Sequence, residues 1–97
     1  MALNVVWTAM AQKERSEILR FYRERNGNNR YSKELAKHFN TSMNLVAEQG
    51  LMGKSTDLQG VRCLFVLDYS LFYTITAEHA VVLSLWDNRR DPDQRPY

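Results

Sequence analysis

The 97-residue chain has little of several things. Its one cysteine, Cys63, excludes an intramolecular disulfide framework and a cysteine-rich zinc site. Its place in an apolar run reads as a buried, inert thiol rather than a nucleophile. The two histidines, His38 and His79, lie far apart in sequence and with Cys63 build no metal constellation. They read as surface or core-edge residues. Four glycines are scattered and form no phosphate-cradling loop. Apolar runs such as Leu64–Leu67 and Ala80–Leu83 are too short to span a membrane, and Met1–Trp7 lacks the basic start and apolar core of a targeting segment. No large charge excess exists either: the net charge is +2. Through Gly50 there are 8 Lys and Arg against 5 Asp and Glu, and from Leu51 onward 5 against 6. That balance permits a nucleic-acid partner without demanding one.

What is present fits one globular domain over residues 1–97, with 44% hydrophobic and 25% charged residues and no internal repeat. A reducing, cytoplasmic setting is expected. Leu3–Trp7 reads as a first strand, stopped by Thr8, a good helix N-cap, with Trp7 under the helix that follows. Ala11, Arg15, Ile18 and Tyr22 repeat at helical spacing and predict a helix over Ala9–Arg25, flanked by Leu19 and Phe21. Gly27 and its asparagines end it. Tyr31, Leu35, Phe39, Ser42 and Val46 predict a second helix over Arg30–Glu48, antiparallel to the first. Met10, Met43 and Met52 read as packing filler.

A loop carrying Lys54 leads to three β-rich runs: Val61–Leu67, Leu71–Thr76 and Val81–Trp86. Asp68-Tyr69-Ser70 and Ala77–Ala80 supply the intervening turns. The polar stretch from Asp87 then ends the apolar pattern, and residues 93–97 are expected to be an extended or mobile tail. The order predicts an α+β fold: an N-terminal strand, an antiparallel helix hairpin, then a three-stranded antiparallel meander with the helices on one face. Arg62 is isolated inside an apolar strand, which calls for an open face with something to bind, and Arg89-Arg90 lies where the last strand ends.

In this order, four features carry a resemblance across Asn4 to Pro92. They are Trp7-Thr8 before the first helix, Tyr22 near that helix's end, Gly60-Val61-Arg62 opening a strand before Leu71-Phe72-Tyr73, and Trp86 through Pro92. The chain resembles the RelE/ParE superfamily of toxins from bacterial type II toxin–antitoxin pairs. The resemblance implies a cognate antitoxin that folds over the toxin, with Leu19, Phe21 and Leu45 as docking points. It also implies one of two targets. RelE-like members cut messenger RNA on the ribosome, whereas ParE-like members poison DNA gyrase without nuclease residues.

Under the ribonuclease reading, which the positions of Lys54, Arg62, Arg90 and Tyr97 favour, RNA cleavage by the 2′-hydroxyl needs a base, cations for the phosphorane and a proton donor, and no metal or cofactor. Lys54 is the candidate base or phosphate clamp, with a solvated loop lysine as the alternative. Arg62 matches the family's phosphate-binding arginine; pairing with Asp68, Asp87 or an antitoxin carboxylate is its alternative. Arg89 and Arg90 match the basic site past the last strand, where Asp87 and Asp91 are competing neutralisers. Tyr97 is a candidate for base stacking or proton transfer. The low charge and the missing histidine favour gyrase poisoning, and an inactive protein-binding module is a third reading.

Overall fold

The computed structural model describes residues 2–50 and 53–97. Its elements are β1 (Asn4–Trp7), α1 (Ala9–Asn26), α2 (Arg30–Gln49), β2 (Lys54–Ser55), β3 (Arg62–Val66), β4 (Tyr69–Ile75) and β5 (His79–Asp87). The strands form one sheet in the order β1-β5-β4-β3-β2. β1 runs parallel to β5, and every other pair is antiparallel. The architecture is the expected α+β one, with a fifth, two-residue edge strand added.

Local chemistry sets both helix boundaries. Thr8 is extended, and its Oγ1 accepts from the Ala11 amide at 3.2 Å while donating to the Leu83 carbonyl at 3.2 Å. One hydroxyl thus caps α1 and ties it to β5. Gly27 takes a left-handed conformation (φ 70°) that closes α1, its amide bonded to the Arg23 carbonyl. On α2 the buried face is Leu35, Phe39, Met43, Val46 and Ala47, with Ser32 at its start. Met43 takes the place expected for Ser42, because a thioether fills the gap under the sheet and a hydroxyl there would need a partner. Met52 lies outside the described residues.

Phe39, Leu35, Met43 and Val46 are fully buried against Val66, Tyr69, Leu71, Tyr73, Ala80, Val82 and Leu85 of the sheet. Each such side chain contributes about 1.5–3 kcal/mol relative to exposure. Phe39 meets Tyr69 edge-on, centroids 5.6 Å apart.

Two turns sit differently from expectation. The β3–β4 hairpin turns at Leu67-Asp68, with Leu67 at φ 54°, so Tyr69 and Ser70 are the first residues of β4 and are buried. A two-residue loop with positive φ at its first residue matches the twist of its strands, and it lets Tyr69 continue the period-two series with Leu71 and Tyr73. The β4–β5 turn ends at Glu78, and His79 and Ala80 open β5 opposite Asn4 and Val5. A bulge also interrupts the β4–β5 register: Phe72 pairs with Ser84 but Tyr73 pairs with Val82, leaving Leu83 as the extra residue. The tail is not extended throughout. It makes a 3-10 turn at Pro92–Gln94, capped by the Asp91 side chain, and Tyr97 returns to the sheet.

Candidate functional site

Strand register sorts the candidate residues between the two faces of the sheet, because directly paired residues point the same way. Lys54 pairs with Cys63, and Cys63 with Phe72. In the adjoining row Ser55 pairs with Arg62, Arg62 with Tyr73, and Tyr73 with Val82. Tyr73 and Val82 belong to the core under the helices, whereas Cys63, Phe72 and Trp86 form a separate cluster on the other side. Lys54 therefore belongs to the face away from the helices, and Arg62 to the helix side.

On the face away from the helices three aromatic side chains each carry a partner. Lys54 Nζ lies 5.5 Å from the Phe65 ring centroid. The Arg90 guanidinium lies 4.7 Å from that of Trp86. Tyr97 lies over Phe72, centroids 5.2 Å apart and planes inclined by 38°. Lys54, Arg90 and Tyr97 thus share one aromatic face, which also buries the Cys63 thiol. Loss of hydration pushes that thiol above its ordinary pKa.

Arg62 is held elsewhere. Its Nη1 donates to the Gly53 carbonyl at 2.8 Å, while the Gly53 amide donates to the Tyr73 hydroxyl at 2.7 Å. A Cβ on Gly53 would lie 2.7 Å from the Cys63 carbonyl and 2.9 Å from the Tyr73 ring, so glycine is required for this approach. Neither Asp68 nor Asp87 pairs with Arg62: the ion pairs among the described residues are Arg20–Glu24 and Arg89–Asp87.

Arg89 is committed internally. Its Nε and Nη2 donate to the two Asp87 carboxylate oxygens at 2.9 and 2.8 Å. Nη2 also reaches the Tyr22 hydroxyl at 3.0 Å, and the Tyr69 hydroxyl donates to that of Tyr22 at 3.3 Å. The forked pair holds the Asp87 carboxyl below its ordinary pKa and raises that of Arg89. Burial raises Tyr69, and the hydrogen bond from Tyr69 lowers Tyr22. Of the two adjacent arginines, Arg89 clamps α1 to the end of β5, and Arg90 adds its charge to that of Lys54 on the aromatic face.

Asp87 is the expected neutraliser of this arginine pair, whereas the Tyr22 and Tyr69 hydroxyl contacts of the clamp were missed in sequence reading. Placing Tyr69 in a turn hid its partnership with Tyr22, although its two-residue spacing from Leu71 and Tyr73 was visible. Glu14 was missed as well. β1 ends at Trp7, so the outer edge of β5 beyond Val82 has no neighbouring strand. There the Glu14 carboxylate accepts from the Ser84 hydroxyl at 2.9 Å and from the Leu85 amide at 3.2 Å. A cleft of about 330 Å³ lies beside it, lined in part by Glu14, Phe21, Tyr22, Arg25, Arg89 and Arg90. Of the three expected docking residues, Phe21 and Leu45 are exposed and Leu19 packs against the core. Among the described residues no helix is long and apolar enough to cross a membrane.

Similarity to known proteins agrees with this architecture. A family model described as the ParE toxin of the type II toxin–antitoxin system parDE matches residues 5–92. Among solved structures, one from the chromosomal ParDE system of P. aeruginosa superposes with a TM-score of 0.76 at 14% identity, covering 89% of this chain and 96% of that one. The structure of the YoeB dimer from Staphylococcus aureus superposes with a TM-score of 0.64 at 17% identity, covering 89% and 97%. No curated protein matches the sequence. At those identities the superpositions carry the fold alone, and the family rests on the match across residues 5–92. The chain belongs to the ParE toxins of type II toxin–antitoxin systems, within the RelE/ParE superfamily.

Proposed function

We propose that this toxin acts by binding its target rather than by cutting RNA, and that the target is DNA gyrase in the cytoplasm. One observation carries the reading: Arg62 faces the helix side and holds Gly53, while Lys54, Arg90 and Tyr97 are on the opposite face. A phosphorane in the transition state needs its cations and its acid–base groups converging on one phosphate. Splitting them between two faces of a sheet removes that convergence. The net charge of +2 points the same way, since affinity for ribosomal RNA grows with each added cation. The ribosome-dependent ribonuclease is the second reading, favoured by the shared aromatic face of Lys54, Arg90 and Tyr97, on which a base can stack.

In this reading the cognate antitoxin holds the toxin inactive by folding over the exposed helix surface at Phe21 and Leu45. Pulse-labelling of cells after induction of the chain tests the target, with Lys54→Ala/Arg90→Ala beside it. These positions leave the Gly53 contacts intact. Early loss of DNA synthesis is expected, together with inhibition of gyrase supercoiling by the purified protein. Early loss of protein synthesis with DNA synthesis intact, abolished by the double substitution, would replace this reading with the ribonuclease.

A further inference from the structure

A second cavity, of about 330 Å³, lies at the β2–β3 end of the sheet. It is distinct from the cleft beside Arg89, and Val61 joins its wall to the edge of the aromatic cluster. Its polar lining comes from Arg62, Ser55, Thr56, Gln59 and Thr74, and its apolar lining includes Leu58, Val61 and Ile75. Leu58, Gln59 and Gly60 are exposed, and the Arg62 and Thr74 side chains are half-buried.

Three features make this a receptor rather than a packing gap. The loop forming its rim is built: Thr56 Oγ1 donates to the Val61 carbonyl at 2.9 Å and accepts from the Leu58 amide at 3.2 Å. Thr74 Oγ1 donates to the Gly60 carbonyl at 2.7 Å, fixing the loop to β4. The second feature is electrostatic. Arg62 uses one nitrogen on the Gly53 carbonyl, is in no ion pair among the described residues, and is the one charged residue of the lining. A guanidinium has five N–H donors, so the bond to Gly53 leaves most of its fork for an acceptor. The third is composition: a small number of placed polar groups among apolar walls is the pattern of small-molecule sites, and the volume lies within their range.

We infer that this cavity binds a small organic anion, a carboxylate or phosphate monoester on an apolar body, with the anionic group on Arg62 and the body against Leu58, Val61 and Ile75. The bidentate geometry of guanidinium suits both anions. Lys54, Arg90 and Tyr97 are not among its lining residues.

Amide chemical-shift titration of the full chain tests it, with benzoate and phenyl phosphate as the anionic probes and benzamide as the uncharged one. The expected result is saturable shifts at Ser55–Val61 and Thr74-Ile75 with a Kd of about 1 mM for at least one anion. Which anion saturates first separates the carboxylate from the phosphate source. Benzamide should give no saturation. Leu58→Asp places a carboxylate at the exposed rim without touching the Gly53 contacts, and should weaken the anion about tenfold or more through like-charge repulsion. Arg62→Gln should abolish binding; if that variant does not fold, Leu58→Asp carries the test. Absence of saturable shifts, equal binding of benzamide, indifference to Leu58→Asp, or shifts centred on Phe72 and Trp86 would each overturn the assignment.

Discussion

Gly53→Ala strikes the point where the chain enters the sheet. The added methyl would sit 2.7 Å from the Cys63 carbonyl oxygen and 2.9 Å from both Cε1 and the hydroxyl of Tyr73. Cys63 is held between Lys54 and Phe72 in the strand ladders, and Tyr73 is fully buried, so neither neighbour has room to yield. The backbone of residue 53 must move instead, breaking the 2.7 Å bond to Tyr73 and the 2.8 Å bond from Arg62. Overpacking costs about 1–3 kcal/mol and a lost buried hydrogen bond about 1 kcal/mol, for a total of about 3 kcal/mol. In a domain of this size that lowers Tm by about 15 °C. Gly27→Ala is the control: it meets nothing within 4 Å and bears only the cost of its φ of 70°, about 1–2 kcal/mol. Urea unfolding of both variants checks the difference, read at constant m. If Gly53→Ala unfolds within about 0.5 kcal/mol of the parent, the Gly53–Tyr73–Arg62 contact does not hold the loop, and the structural role given to Arg62 falls with it.

Glu14→Ala removes the acceptor for the fully buried Ser84 hydroxyl and for the Leu85 amide, so a loss of about 1–3 kcal/mol is expected. It also uncovers the outer edge of β5, and light scattering should show concentration-dependent association; unchanged stability in a strict monomer would refute the role given to Glu14 at that edge. Asp87 has a folded-state pKa below its ordinary 3.8, so its contribution is whole above that value and is lost as pH falls toward the depressed one. The stability gap between the parent and Asp87→Asn should therefore be constant near neutral pH and close in acid. A gap that widens in acid would contradict the Arg89 pairing.

The helices were legible because their signals are local. Thr8 and Gly27 mark the ends of α1 within a residue of expectation, and apolar spacing fixes the buried face of α2. The β meander was legible from its β-branched and aromatic runs. β2 was not, since two exposed residues carry no periodicity and become a strand only through pairing with β3. The return of Tyr97 to Phe72 was hidden for a related reason: Pro92 and Pro96 mark a chain that cannot continue a helix or strand, without indicating which surface it meets.

The site was legible as a set of residue types and illegible as an arrangement, and Arg62 shows why. In sequence it lies eight residues after Lys54. Whether the two side chains share a face depends on pairing parity, and the register that joins Lys54 to Cys63 places Arg62 one residue out of step. A slip of one position would bring Arg62 onto the aromatic face and send Cys63 under the helices. The core opposes that slip, because Leu64 and Val66 would move with Cys63's neighbours away from the helix side while Phe65 moved beneath it. Gly53 opposes it again, since its two hydrogen bonds require Arg62 and Tyr73 on one side. The apolar residues that fold β3 thus decide the chemistry open to its one arginine.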